Sequence, residues 1–370
     1  MPGQTMHFNL LFGAWIRLLR ENGRAIPLAK SGKVALLTFV SACHSIQNFF
    51  QDAMYREALA RVELAAPPIF IIGHWRSGTT LLHEMLCLDK RHAWPSTYAC
   101  MNPSHFLITE RAAQSSGAGQ ASVKRPMDNM TISLASPQED EFALVALGAP
   151  SPYAHWMFPA NLDDHPEYFD LDRATSTERA RWKAIFSKFL RQLTLRDPRR
   201  LVIKSPAHTF RVKLLHEMYP EAIFIHIVRD PYATFASTRH LYRKMFGIYA
   251  LTRYSIDALD EYILRNGVCM ESLLEDALPG LPPGRYHRVR YEDLIASPLE
   301  RMGEIYSSSE LSDFNDVLPA LRNYFEQHAG FQGERLELSR NDIANVSRHW
   351  RTMFEKYSYP TQASAFDAAA

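Results

Sequence analysis

With 370 residues, 46% hydrophobic and 22% charged, the chain can fill one large core or two ordinary ones and reads as a soluble globular protein. Its 41 basic residues nearly cancel 40 acidic ones, and the net charge of +1 excludes a surface that attracts polyanions by overall field. Any anion site must therefore be local.

The first 64 residues read as a helical arm. The run "VALLTFVSACHSIQNFF" (Val34–Phe50) is strongly apolar, but Ser41, His44, Ser45, Gln47 and Asn48 interrupt it. That falls short of the roughly 18 continuous apolar residues of a membrane span. A pair of amphipathic helices packed on the domain is expected. The basic residues Arg17, Arg20, Arg24, Lys30 and Lys33 make peripheral membrane contact the alternative. No leader-type cleavage site follows, and Cys43, Cys87, Cys100 and Cys269 form no C-x-x-C. They read as reduced thiols of a cytoplasmic protein, with no metal site expected.

A core is expected over residues 65–310. "PPIFIIG" (Pro67–Gly73) is a buried-strand pattern, and from Gly78 the residues Leu81, Leu82, Met85 and Leu86 recur at helical spacing. A helical insertion follows, at about residues 94–196. It contains one flexible, low-complexity loop, "QSSGAGQAS" (Gln114–Ser122), and a core-facing stripe of Trp182, Ile185, Phe186, Phe189, Leu190 and Leu193. "LVIK" (Leu201–Lys204) is a second strand, followed by a helix with Pro206 in its first turn and Pro220 at its end. "AIFIHIV" (Ala222–Val228) is a third strand leading into another helix, and "YHRVRYEDL" (Tyr286–Leu294) is a weaker fourth. Residues 311–370 read as a C-terminal helical segment packing on the core. The alternation predicts an α/β fold, a P-loop-like parallel sheet covered by helices on both faces. Ligands of such sheets bind at the carboxyl ends of the strands, where Arg76, Lys204, Arg229 and Tyr291 would converge.

The stretch "FIIGHWRSGTT" carries the first chemical signal. Gly73 and Gly78 are spaced as in a nucleotide-phosphate loop, but Thr79 stands where an NTPase has its lysine, and the loop's cation is Arg76. Backbone amides at the start of the following helix, the hydroxyls of Ser77, Thr79 and Thr80, and the Arg76 fork suit an anion. In "IVRDPYATFAS", Arg229 ends a strand and Ser237 lies eight residues on, a pair that could clamp a second anion. Lys204 could neutralise charge on a transferred group.

"FIIGHWRSGTTLL", "LVIKSPAH", "IFIHIVRDPYATFAS" and "VRYEDL" together resemble the sulfotransferases that use 3′-phosphoadenosine 5′-phosphosulfate (PAPS), and most closely the bacterial branch related to the tyrosylprotein and carbohydrate enzymes. The resemblance implies that Arg76, Ser77, Gly78, Thr79 and Thr80 bind the 5′-phosphosulfate, and that Arg229 and Ser237 grip the 3′-phosphate. It also implies that Tyr291 lies beside the co-substrate and Lys204 near the migrating sulfuryl group. The base that such relatives place about twenty residues past the loop arginine is missing, because Ser96 and Thr97 stand there. Glu139 or Glu141 in "SPQEDEFALVALG" is the expected replacement, with His105 as a further candidate.

Two other readings compete. A P-loop small-molecule kinase would use Asp230 to bind magnesium, and a non-catalytic nucleotide-binding module would dock to membranes through its N-terminal arm. Residues 94–170, expected to wall the acceptor pocket, are rich in aromatics and prolines, which points to an apolar or aromatic-bearing alcohol and not to a heavily charged polysaccharide. With the apolar arm this makes a lipid or lipid-linked acceptor the first expectation, and no nucleic-acid partner is expected.

Overall fold

Each apolar run of the core becomes a parallel strand. The computed structural model describes residues 8–116, 122–124, 131–162, 164–311, 313–327 and 336–361. Its strands are β1 (Ile69–Ile72), β2 (His92–Ala93), β3 (Val123–Lys124), β4 (Thr131–Ile132), β5 (Arg200–Lys204), β6 (Ile223–Val228) and β7 (Tyr286–Arg290). β3 and β4 form a short antiparallel ribbon, and the other five make up the parallel sheet. β1 and β6 are buried along their whole length, as continuous apolar strands covered on both faces should be. The sequence pattern did not announce β2, because two residues are too few to set up a period.

The chain divides into two compact units. One comprises Met1–Pro68, Arg91–Ile203 and Arg243–Ser255, and the other Ile69–Lys90, Lys204–Tyr242 and Ile256–Ala370.

The second unit holds β1, β6 and β7 in parallel register. Ile69 faces Ile223, and Phe70 faces Phe224 with ring centroids 5.4 Å apart. β7 runs beside β6 from Phe224↔Tyr286 to Val228↔Arg290 and ends the sheet. It is the strand with arginines and a histidine, which suits an edge that must not recruit another chain. Trp350 anchors the C-terminal helices of this unit. Its indole Nε1 donates to Leu264 O at 2.9 Å, and a Cβ added at Gly267 would lie 2.5 Å from that nitrogen.

The first unit is mostly helical. Phe12–Asn22 and Ser31–Arg61 are the two arm helices, joined by Trp15 Nε1 donating to Thr38 Oγ1 at 2.8 Å and Phe12 N donating to Ser45 Oγ at 2.7 Å. The expected pair is present, but Ser31–Arg61 is not amphipathic in the usual direction, since Ser41, His44 and Gln51 are among its buried residues. The long helix Ser176–Arg196 starts in a Thr175–Glu178 capping box. Of its expected core stripe, Trp182, Phe186, Phe189, Leu190 and Leu193 are buried and Ile185 is partly so. The aromatic segment proposed to wall an acceptor pocket is itself core: Tyr153, Trp156 and Phe158 are buried, with Tyr153 and Trp156 stacked at 4.0 Å. Of the expected loop Gln114–Ser122, residues 117–121 lie outside the described residues, and Gln114 and Ser115 finish the helix Phe106–Ser115. Among the described residues, no helix is long and apolar enough to cross a membrane.

Candidate functional site

The phosphate-type loop lies within the second unit, between β1 and the helix Thr79–Cys87. Gly73 leaves β1 at φ 145°, and a Cβ there would meet Ile227 O at 2.4 Å. The glycine backbone is held from outside the loop. Gly73 N donates to Thr209 Oγ1 at 2.8 Å, and that hydroxyl donates to Gly73 O at 3.2 Å. Ser77 closes the turn through Oγ to His74 O at 2.8 Å. Gly78, at φ 107°, then caps the helix without a side-chain hydrogen bond to its first amides, so these point outward from an apolar, buried stem.

Arg76 occupies the left-handed region at φ 68°, an unusual place for a side chain of this size. Strain of that kind, about 1–3 kcal/mol, persists only where neighbours fix it, and it gathers at functional sites. Here Arg229 Nη1 donates to the Arg76 carbonyl at 3.1 Å, and Arg76 Nε donates to Ser237 Oγ at 2.9 Å. The two arginines, expected at separate anion sites, are thus mechanically linked, one holding the other's backbone. Tyr291 completes the linkage. The Arg229 guanidinium lies 4.4 Å from its ring centroid, and a Cβ on Gly78 would meet its Cδ2 at 2.4 Å. Only glycine at 78 admits the tyrosine ring, so Gly78, Tyr291 and Arg229 are interdependent.

Lys204, at the end of β5, is 1% exposed, and its Nζ donates to Thr80 Oγ1 at 3.4 Å. Burial of an ammonium is costly unless it is hydrogen-bonded or paired, and Thr80 at the start of the loop helix supplies part of that company, which fixes the cation beside the loop. Burial and a hydrogen bond to Trp75 O act in opposite senses on His74, with burial the larger, and pull it down to about 4, so it stays neutral beside Arg76 near neutral pH.

Asp230 has a structural occupation. Its Oδ1 accepts from Ala233 N at 2.8 Å, capping the helix Pro231–Tyr249 just before a proline at the first helical position. Burial, reinforced by Glu292, holds its carboxyl above the usual range. Both features weigh against the magnesium ligand that a kinase would need.

The sulfotransferase family matches residues 67–316 of this chain. A relative from Mycobacterium bovis, described as omega-hydroxy-beta-dihydromenaquinone-9 sulfotransferase Stf3, is 38% identical over 348 residues, covering 94% of this chain and 89% of the relative. The chain belongs to the sulfotransferase family. It is thus a transferase of sulfuryl groups and calls for a sulfuryl donor. Among solved structures, sulfotransferase STF9 from Mycobacterium avium matches with a TM-score of 0.70 at 14% identity, covering 94% of this chain and 96% of that one. STF1 from Mycobacterium tuberculosis H37Rv follows at 0.65 and 18%, covering 91% and 90%. At such identities the likeness is one of fold.

In this sulfotransferase, Arg76, Ser77, Gly78, Thr79, Thr80, Lys204, Arg229, Ser237 and Tyr291 all belong to the second unit, whereas the three candidate bases belong to the first. Each of these has a local environment of its own. Glu139 is partly buried and accepts from the Tyr153 hydroxyl. Glu141 is 0% exposed in the first turn of Glu141–Leu147. His105 Nδ1 shares a 2.8 Å hydrogen bond with Thr109 Oγ1, its ring stacks on His44 at 5.8 Å, and burial lowers its pKa.

Sequence reasoning missed the residues that hold the loop in shape: Thr209, which clamps Gly73, and Thr238, whose hydroxyl donates to Trp75 O at 3.0 Å. The only local hint was a threonine in each motif, four residues after Ser205 and one after Ser237.

Proposed function

We propose that this sulfotransferase moves the sulfuryl group of PAPS onto the hydroxyl of a lipid-linked alcohol, acting in the cytoplasm at the inner face of the membrane. The observation that carries the donor reading is the linked pair Arg76 and Arg229, one guanidinium on the loop whose helix opens with uncapped amides and one at the end of β6 that holds the loop arginine's carbonyl. A donor with phosphate at one end and phosphosulfate at the other uses both. The loop residues Arg76, Ser77, Gly78, Thr79 and Thr80 receive the phosphosulfate. Arg229 and Ser237 receive the 3′-phosphate, with Tyr291 beside them.

Sulfuryl transfer, like phosphoryl transfer, depends mainly on positioning and charge stabilisation in line. The acceptor oxygen attacks sulfur, and the bond from sulfur to the 5′-phosphate oxygen breaks. Its electron pair stays on the departing phosphate, where Lys204 and the loop amides stabilise it. The acceptor's proton passes to a base. Glu139 suits this best of the three candidates, being partly accessible and oriented by Tyr153, whereas Glu141 is fully enclosed. The relative described as an omega-hydroxy-beta-dihydromenaquinone-9 sulfotransferase, aligned along nearly the whole chain, supports this acceptor class.

Labelled PAPS, offered with an ω-hydroxylated prenyl quinone and with its non-hydroxylated parent, tests the proposal. Label should enter the hydroxylated lipid alone, persist in chelator, and fall by about a thousandfold in Arg76→Ala. Transfer only to water-soluble sugars or peptides would overturn the acceptor class, and undiminished turnover in Arg76→Ala the loop's role.

A further inference from the structure

The arm helix Ser31–Arg61 has its polarity reversed for a helix facing water. Its buried side chains are Leu37, Ser41, His44, Gln51 and Leu59, three of them polar. These polar groups are satisfied inside. His44 Nδ1 bonds Ser104 Oγ at 3.2 Å, and Gln51 donates to Pro103 O at 3.0 Å while accepting from Leu107 N at 2.9 Å. On the opposite side, Leu36, Phe39, Ile46, Phe50 and Met54 are all at least half exposed, Phe39 by 69%. At 100° per residue these five fall within an arc of about 80°, in a stripe about 27 Å long, on the side of the helix turned away from the buried face. Phe49 widens it and is 66% exposed. Helices of globular proteins place such a stripe inward, and an exposed patch of this size marks a contact surface.

The charges around the stripe identify what it contacts. Between Lys33 and Asp52 there is no charged residue. Residues 8–51 contain Arg17, Arg20, Arg24, Lys30 and Lys33 against one carboxylate, Glu21, in a chain whose whole net charge is +1. Arg20, Arg24 and Lys30 are exposed, and Leu28 between the last two is 88% exposed. Lys33 is engaged differently, donating to Ile248 O at 3.2 Å. A second copy of the chain would bring the same basic residues and, on its arm helices, only the exposed carboxylates Glu21 and Glu57, the latter 3.9 Å from Arg61. An anionic membrane instead offers acyl chains to the stripe and headgroups to the basic surplus.

We propose that this face docks the enzyme on an anionic lipid bilayer, with Leu36, Phe39, Ile46, Phe50 and Met54 lying in the interface and Arg20, Arg24 and Lys30 among the headgroups. The choice of a bilayer rests on the lipid-acceptor reading above, while the reversed polarity and the basic surplus stand without it. Delivery then has a physical route: an acceptor too apolar to leave the membrane is met by an enzyme held on its surface.

Flotation of the full chain with phosphatidylcholine vesicles, with and without phosphatidylglycerol, tests this alongside binding of adenosine 3′,5′-bisphosphate in the same preparations. The wild type should float with the anionic vesicles and far less with the neutral ones. Phe39→Ser with Phe50→Ser should lower partitioning at least about tenfold, and Arg24→Gln or Lys30→Gln about fivefold each, with nucleotide binding retained. Nucleotide binding without flotation overturns the docking surface and leaves the donor reading intact; flotation without nucleotide binding overturns the donor reading and leaves the docking surface intact. A wild type that is a dimer in solution, and that Phe39→Ser with Phe50→Ser converts to monomer without changing flotation, would assign the face to a second copy instead.

Discussion

The loop helix Thr79–Cys87 and the arm helix Ser31–Arg61 treat polar groups in opposite ways. The loop helix keeps an apolar stem in its unit's core and presents its uncapped end, with Thr80 bonded to Lys204, as the working surface. The arm helix turns Ser41, His44 and Gln51 inward, where they bond Thr38 O, Ser104 Oγ and Pro103 O respectively, and presents phenylalanines outward. In the first case buried apolar area supports a polar site; in the second, buried hydrogen bonds support an apolar surface. Burial alone therefore does not reveal which face of a helix is the functional one; the chemistry of the face left exposed does.

Substitutions can break this contrast at either end. Gly78→Ala should have the largest effect on stability, because a methyl at φ 107° would stand 2.4 Å from the Tyr291 ring. About 3 kcal/mol should be lost in urea unfolding. Tyr291→Ala in the same chain should recover the part due to the clash, leaving the part due to backbone strain. On the arm the effects should be smaller and should sort by face. Gln51→Leu leaves Pro103 O and Leu107 N without their hydrogen bonds and should cost about 1–3 kcal/mol despite being a polar-to-apolar change. Phe39→Ser, a larger chemical change at an exposed site, should stay within about 0.5 kcal/mol. Equal costs at positions 39 and 51 would mean that the two faces are not distinguished as described.

Most of the sheet was legible because β1, β5 and β6 are apolar runs ending in polar residues. β1, β5, β6 and β7 lie within a residue or two of the expected limits except at the end of β7, where Tyr291 opens a new helix, Tyr291–Ala296, instead of continuing the strand. The helix expected after Lys204 begins as a 3₁₀ turn, Pro206–Arg211, before Val212–Met218. This is consistent with a proline at its first position and Ser205 capping Ala207 N. The site was legible as a set of residue types but not as a set of links. Nothing local in "RSGTT" announces that Arg76 bends into the left-handed region, that Arg229 holds its carbonyl, or that Thr209 clamps Gly73. Those are pairings between residues more than a hundred positions apart, and a pairing of that range leaves no period in the sequence. The reversed helix was illegible for a related reason. An interrupted apolar run has two faces, and only tertiary contacts such as Gln51 with Pro103 and Leu107 decide which of them is buried.

The central claim is that two linked arginines receive the two anionic ends of one nucleotide. Calorimetric titration with adenosine 3′,5′-bisphosphate and with its 3′-dephospho counterpart, on the wild type and on Arg229→Ala, tests it directly. The wild type should prefer the bisphosphate, and Arg229→Ala should lose about 2 kcal/mol or more of affinity for it, with a much smaller loss for the dephospho form. No heat with either nucleotide, or an equal loss for both in Arg229→Ala, would contradict the account.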